Sequence, residues 1–224
     1  MLKFQKDELS HLGRFYLYHF FYSFFAVIMP FFVIYFINKG FSFAQVSLMF
    51  ALYMAIQTVF EIPTGAFADS FSRKKSVILG FIICGLPLLV IPFVDNYILL
   101  LFLWLFSGIG ETFISGAEDA WVVSNLNHAN RSSLIQTYFM KSASIRGFGT
   151  FLAPLLGGLL LLFTSMDALW FVVGGSLLLT SVIIFTIPEN FTPVHRSLSN
   201  IFKNNFAMAK KGWVHLKITL NCYF

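Results

Sequence analysis

Residues 61–75, EIPTGAFADSFSRKK, close a long apolar run with a carboxylate and a proline. The chain then turns through Gly65 and Asp69 and leaves through Arg73, Lys74 and Lys75. The run upstream begins near residue 44. It is long enough to cross a bilayer, which takes about 20 apolar residues as a helix. A cluster of Lys and Arg at its end marks the cytoplasmic side, where positive loops are retained. No other stretch joins a membrane exit, an acid inside the apolar run and a short basic loop, so the topology is read outward from it.

The rest of the chain repeats the apolar theme. Of its 224 residues 58% are hydrophobic and 11% charged, less than half the charge of a soluble domain at about 25%. Too little charge remains to cover a water-facing surface, so the natural solvent is lipid. Six runs qualify as spans, at about 16–37, 44–67, 77–94, 97–122, 135–163 and 169–187. They are continuous rather than alternating, which predicts helices and not barrel strands. The first run is far longer than a signal-peptide core and no A-x-A site follows it, so it is read as a permanent span.

The connections alternate in charge. Lys3, Lys6 and Arg14, then Arg73, Lys74 and Lys75, then Arg131, then the C-terminal lysines fall on one side. The other side holds Lys39, with Asp95 and Asp167 in short hairpins. Both termini are therefore expected in the cytoplasm. The side holding them is called the basic side below.

These features set aside several classes. The net charge of +5 is spread between and after the spans and does not form a nucleic-acid-binding face. Cys84 and Cys222 give neither a disulfide framework nor a metal-ligand spacing. H-E-x-x-H and G-x-S-x-G are absent, as are soluble cofactor loops, so neither an enzyme nor a cofactor is expected. Residues 189–224 change character: Phe202, Phe206, Ala209, Trp213, Leu216 and Leu220 recur at helical spacing beside Lys203, Lys210, Lys211 and Lys217. That segment is read either as a basic amphipathic helix for the lipid headgroup layer or as a plain tether. It follows a six-helix domain at 1–188.

Ionisable groups within a span cost roughly 2.5–3.5 kcal/mol each on insertion scales and normally face the protein interior or a wet cavity. Here they are Glu61, Glu111, Glu118, Asp119, Lys141 and Arg146, with His19 in the first span. At about 1.5 Å rise per residue, Glu111 and Arg146 reach similar depth near the midplane, and Glu118 and Lys141 lie nearer the basic side. Cross-helix pairs of Glu111 with Arg146 and of Glu118 with Lys141 are thus the expectation, with at most one in ideal geometry. Burial disfavours the charged form of an unpaired carboxylate, which is what a proton site requires. Glu111 and Arg146 are read as functional and Glu61 as a second carboxylate candidate. Glu118, Asp119 and Lys141 are read as structural, and His19 as a hydrogen-bonded packing residue beside Ser23. Tyr97, Trp121 and Trp170 suit interfacial anchors.

Two motifs carry a resemblance. Residues 65–74, GAFADSFSRK, resemble the loop motif G-x-x-x-D-[RK]-x-G-[RK]-[RK] of the major facilitator superfamily, through Gly65, Asp69, Arg73 and Lys74. Ser70 replaces a basic residue and Ser72 the loop glycine. Residues 149–158, GTFLAPLLGG, resemble that superfamily's fifth-span antiporter motif G-x-x-x-G-P-x-x-G-G through Gly149, Pro154, Gly157 and Gly158, with Ala153 for one glycine. The resemblance covers residues 12–188, one six-helix half. It implies an all-α polytopic half-transporter in the cell membrane that works by alternating access. It further implies proton-coupled efflux of small organic molecules, with a second six-helix half as partner. It also implies a gating cluster of Asp69, Arg73 and an acid on span four, Glu118 or Asp119. The alternative is a half-size membrane protein that assembles with, or regulates, another transporter.

Overall fold

The computed structural model describes residue 5 and residues 7–190. The amphipathic reading of the C-terminal segment lies outside the described residues from residue 191 on, as do Lys3 and Lys6.

Every described element is helical: α1 (Glu8–Tyr22), α2 (Phe32–Asn38), α3 (Phe43–Ser70), α4 (Arg73–Val90), α5 (Tyr97–Ser115), α6 (Glu118–His128), α7 (Leu134–Leu160) and α8 (Asp167–Phe185). They form six membrane-length spans: Glu8–Asn38, Phe43–Ser70, Arg73–Phe93, Tyr97–His128, Leu134–Leu160 and Asp167–Phe185. A helix satisfies its backbone polar groups within itself, which hydrocarbon demands. The ends are capped locally. Ser42 and Gln45 form a reciprocal capping box at the start of span two. Ser72 accepts from the Lys75 amide at 3.0 Å, and Asn96 from the Leu99 amide at 3.1 Å.

Two spans depart from the expected outline. Span one starts at Glu8, eight residues before the expected Tyr16, and is broken in its middle. Two 3-10 turns, Ser23–Val27 and Met29–Phe31, separate α1 from α2. Pro30 lacks an N–H and cannot continue an α-helical ladder. Span four runs six residues beyond the expected Val122 and breaks at Gly116 and Ala117.

Close glycine contacts hold the bundle together. A methyl on Gly110 would lie 2.6 Å from the Cys84 amide nitrogen, so spans three and four meet backbone to backbone. Gly85 and Gly174 bring spans three and six together in the same way. On span five, Gly149 faces Ser23 and Gly157 faces the Val27 carbonyl, so two glycines of the antiporter-like motif seat the broken middle of span one.

Away from the basic side, an aromatic core joins spans one, two, four and six. Phe32 lies 4.6 Å from Trp104 and 5.9 Å from Trp170 between ring centres, and Tyr53 stacks on Trp104 at 4.8 Å. Trp121 and Trp170 are fully buried, which corrects their expected role as interfacial anchors. Half of the apolar windows of spans three and six is buried inside the bundle, against 17% for spans two and five. The long faces of spans two and five therefore point away from the six-helix unit.

Candidate functional site

Glu8, His19, Glu111, Glu118, Lys141 and Arg146 gather along a polar seam between spans one, four and five. Nearest the basic side, the buried Lys141 ammonium reaches both oxygens of Glu8, at 2.7 and 2.8 Å. Glu8 also accepts from the Tyr16 hydroxyl at 3.0 Å. Deeper in, Glu118 Oε1 lies 3.2 Å from His19 Nε2, accepts from the Tyr138 hydroxyl at 3.2 Å and meets Arg146 Nη1 at 3.4 Å. His19 Nε2 and the Tyr138 hydroxyl are themselves 2.9 Å apart. Furthest from the basic side, the Tyr22 hydroxyl donates to Glu111 Oε1.

This arrangement corrects the expected pairing. Lys141 and Arg146 are five residues apart and address different helices: Lys141 turns to span one, and Arg146 takes the Glu118 expected for Lys141. Glu111 is held by a phenol instead of a guanidinium. Glu111 and Glu118 both face span one, as seven-residue spacing suggests, even though the helix breaks between them. His19 is buried and hydrogen-bonded, as expected, but its partners are Tyr138 and Glu118 and not Ser23, whose hydroxyl donates to the Phe20 carbonyl at 2.6 Å.

Sequence reasoning missed Glu8, Tyr22 and Tyr138. Glu8 lies in helical register with the buried Leu12, Phe15 and His19, a stripe that could have moved the start of span one back to it. Tyr22 and Tyr138 carry no such signal, because a tyrosine in a span reads equally as packing.

Two pockets open on the seam. One of about 280 Å³ is lined by Tyr22, Ser23, Phe25, Met29, Arg146 and Thr150, at the broken middle of span one. The other, about 370 Å³, is lined by Gln57, Thr58, Glu61, Glu111, Thr112 and Ser115. The structure thus brings Glu61 to Glu111. The Tyr22–Glu111 hydrogen bond joins the two pockets.

At the basic end, Arg73 Nη2 at the start of α4 pairs with Asp69 Oδ1 at the end of α3 across the loop, at 3.2 Å, and Nη1 donates to the Ala120 carbonyl at 3.0 Å. Arg73 thus meets span four through its backbone, while Glu118 turns inward to His19 and Arg146. Asp119 is exposed. Lys74 Nζ donates to the Phe185 carbonyl at 2.8 Å. Glu189 accepts from the Ser72 hydroxyl at 2.6 Å and from the Lys74 amide at 2.9 Å, so the end of span six is tied to the loop motif. Gly65 lies 3.4 Å from a methyl built on Gly116. Pro154 stands inside α7, and Gly158 is 4.0 Å from the Phe31 ring by the same construction. Among the described residues no group of three or more His, Cys, Asp or Glu is placed to hold a metal ion.

Six apolar helices around a charged, hydrogen-bonded seam with pockets opening on it define a multi-pass membrane protein built to tolerate polar matter at mid-depth. The sequence profile of the Major Facilitator Superfamily matches residues 15–220, and the chain belongs to that family, whose members are transporters and not enzymes. Curated relatives agree. The chain is 29% identical to the uncharacterized MFS-type transporter YxaM of Bacillus subtilis over 46% of this chain and 27% of that one. It is 31% identical to a bicyclomycin resistance protein homolog of Haemophilus influenzae over 66% of this chain and 37% of the relative. It is 24% identical to the multi-drug resistance efflux pump PmrA of Streptococcus pneumoniae over 88% of this chain and 50% of the pump. The chain spans half or less of the length of these relatives.

Proposed function

We propose that this chain forms the N-terminal half of a proton-coupled exporter of small organic molecules in the plasma membrane, working by alternating access. The observation that carries this reading is the placement of Glu61, Glu111 and Arg146. These three ions sit within spans, and each lines a pocket on the seam. Ions cost too much in lipid to be kept there without a wet surface to face. In a transporter of two six-helix halves that surface is the central cavity, near the midplane between them.

The largely unburied faces of spans two and five support the second half of the proposal. They offer a partner half a long surface on both flanks of the pockets. The Asp69–Arg73 pair and its contact with Ala120 sit where rocking of the halves would open and close the basic side. Efflux is supported by the names of two relatives, a bicyclomycin resistance protein homolog and a multi-drug resistance efflux pump. The antiporter-like motif supports proton exchange.

The test is flux driven by an imposed pH gradient, with this chain in its full-length context. Glu111→Gln keeps the side-chain volume and an oxygen for Tyr22 to donate to, but removes the charge. Coupled flux should be lost. Flux at the wild-type rate would remove Glu111 from the mechanism.

The same unburied faces favour a second reading, a half-size membrane protein that assembles with another transporter. Purification of the chain in mild detergent separates the two. A stable stoichiometric complex with a different membrane protein supports assembly with a partner, and degradation of the lone half counts against it.

A further inference from the structure

Arg146 is the exceptional ion of the seam. Its side chain is 39% exposed at mid-span, whereas Lys141 is 10% exposed and closed over by Glu8. Its one ion pair among the described residues, to Glu118, is a single contact at 3.4 Å, and that oxygen is already shared with His19 and Tyr138. A guanidinium carries five N–H donors in a planar fork that matches a carboxylate with two parallel hydrogen bonds. Most of those donors are left for the pocket beside Tyr22, Phe25 and Thr150. Across the Tyr22–Glu111 bond the charge reverses. Glu61 and Glu111 line the second pocket with Gln57 and Thr58, and no cation lines it.

The geometry points to an amphoteric ligand: a small organic molecule whose carboxylate docks on Arg146 while a protonated amine sits toward Glu111 and Glu61, its body lying along Tyr22. This assignment rests on the transporter reading only for where the ligand goes afterwards; the binding argument uses the pockets alone. A singly charged molecule would cover one pocket's ion without bringing it an opposite charge, and covering a charge without complementing it is costly. Complementarity at both ends is therefore what selects the ligand.

The probes are para-piperazinylbenzoate, which carries both charges, its methyl ester, which keeps the cation, and its N-acetyl derivative, which keeps the anion. Binding is measured on the purified chain in lipid nanodiscs. The zwitterion should bind about tenfold or more tighter than either singly charged probe. Arg146→Gln should weaken the zwitterion and the N-acetyl anion roughly ten- to hundred-fold and leave the ester unchanged. Glu111→Gln should weaken the zwitterion and the ester and spare the anion. Equal weakening of all three probes by Arg146→Gln would show a structural role and overturn the assignment. So would an ester that binds as tightly as the zwitterion, or no binding of any probe to the wild-type chain. Energised uptake into inverted vesicles reads the transporter proposal separately. The predicted binding pattern without flux keeps the ligand class and removes transport. Flux of the ester that ignores Arg146 keeps transport and removes the ligand class.

Discussion

The Tyr22 hydroxyl on span one donates to the Glu111 carboxylate on span four, so a neutral partner from another helix holds the acid. Mid-span carboxylates are usually discussed with their counter-ions. Here the nearby guanidinium of Arg146 is turned to Glu118. Removing the phenol should therefore cost structure, and removing only the charge should not. Tyr22→Phe should lower the stability of the purified chain by about 1.5–3 kcal/mol, the worth of a hydrogen bond to a charged group. Glu111→Gln should stay within about 1 kcal/mol of wild type, because the amide oxygen still accepts. Thermal unfolding in nanodiscs compares the two.

The Glu8–Lys141 pair makes a different prediction. Both side chains are buried and doubly bonded, and removing one partner from a buried pair costs about 3–5 kcal/mol. Lys141→Met and Glu8→Gln should each destabilise strongly. The double variant should be more stable than the sum of the two losses predicts. A double-mutant cycle on the unfolding midpoint reads that coupling, and strict additivity would mean that the pair contributes nothing as a pair.

Gly157 and Gly147 test the seating of span one. A methyl on Gly157 would lie 2.8 Å from the Val27 carbonyl oxygen and 3.2 Å from the Phe31 ring, whereas one on Gly147 meets nothing within 4 Å. Overpacking of this kind costs about 1–3 kcal/mol. Gly157→Ala should lose that much and should displace the broken middle of span one, while Gly147→Ala should be neutral. Cysteine accessibility at Ser23, measured in both backgrounds, detects the displacement.

Asp69 and Arg73 separate stability from gating. Their pair bridges the loop between α3 and α4 and the Asp69 side chain is 49% exposed, so its loss should cost less than about 1 kcal/mol. Asp69→Asn should therefore leave the unfolding midpoint nearly unchanged. If the pair gates the basic side, flux in the full-length context should still fall well below wild type. A loss of flux matched by an equal loss of folded protein would argue against gating.

The clasp at the end of span six can be read at single peptides. Glu189 holds the Ser72 hydroxyl and the Lys74 amide at the start of span three. Glu189→Ala frees that amide, and hydrogen exchange across 72–76 should accelerate by about fivefold, in line with the roughly 1 kcal/mol of a helix-cap hydrogen bond. Unchanged exchange would show that Ser72 alone caps the helix.

Spans and their order follow from where apolar runs stop and basic loops begin, because lipid rejects charge locally and residue by residue. Residues 61–75 could be read for that reason, and so could the all-helical class; the family came from the resemblance carried by residues 65–74 and 149–158. Lipid chemistry also required that Glu111, Arg146 and Glu61 meet something other than hydrocarbon. Partner choice was a different matter. That Arg146 takes Glu118, that Lys141 takes Glu8, and that a tyrosine holds Glu111 depend on how far each helix turns and where spans one and four break. Those quantities come from contacts between helices, such as Gly157 against Val27 and Gly110 against Cys84, and no local stretch of chain contains both sides of such a contact.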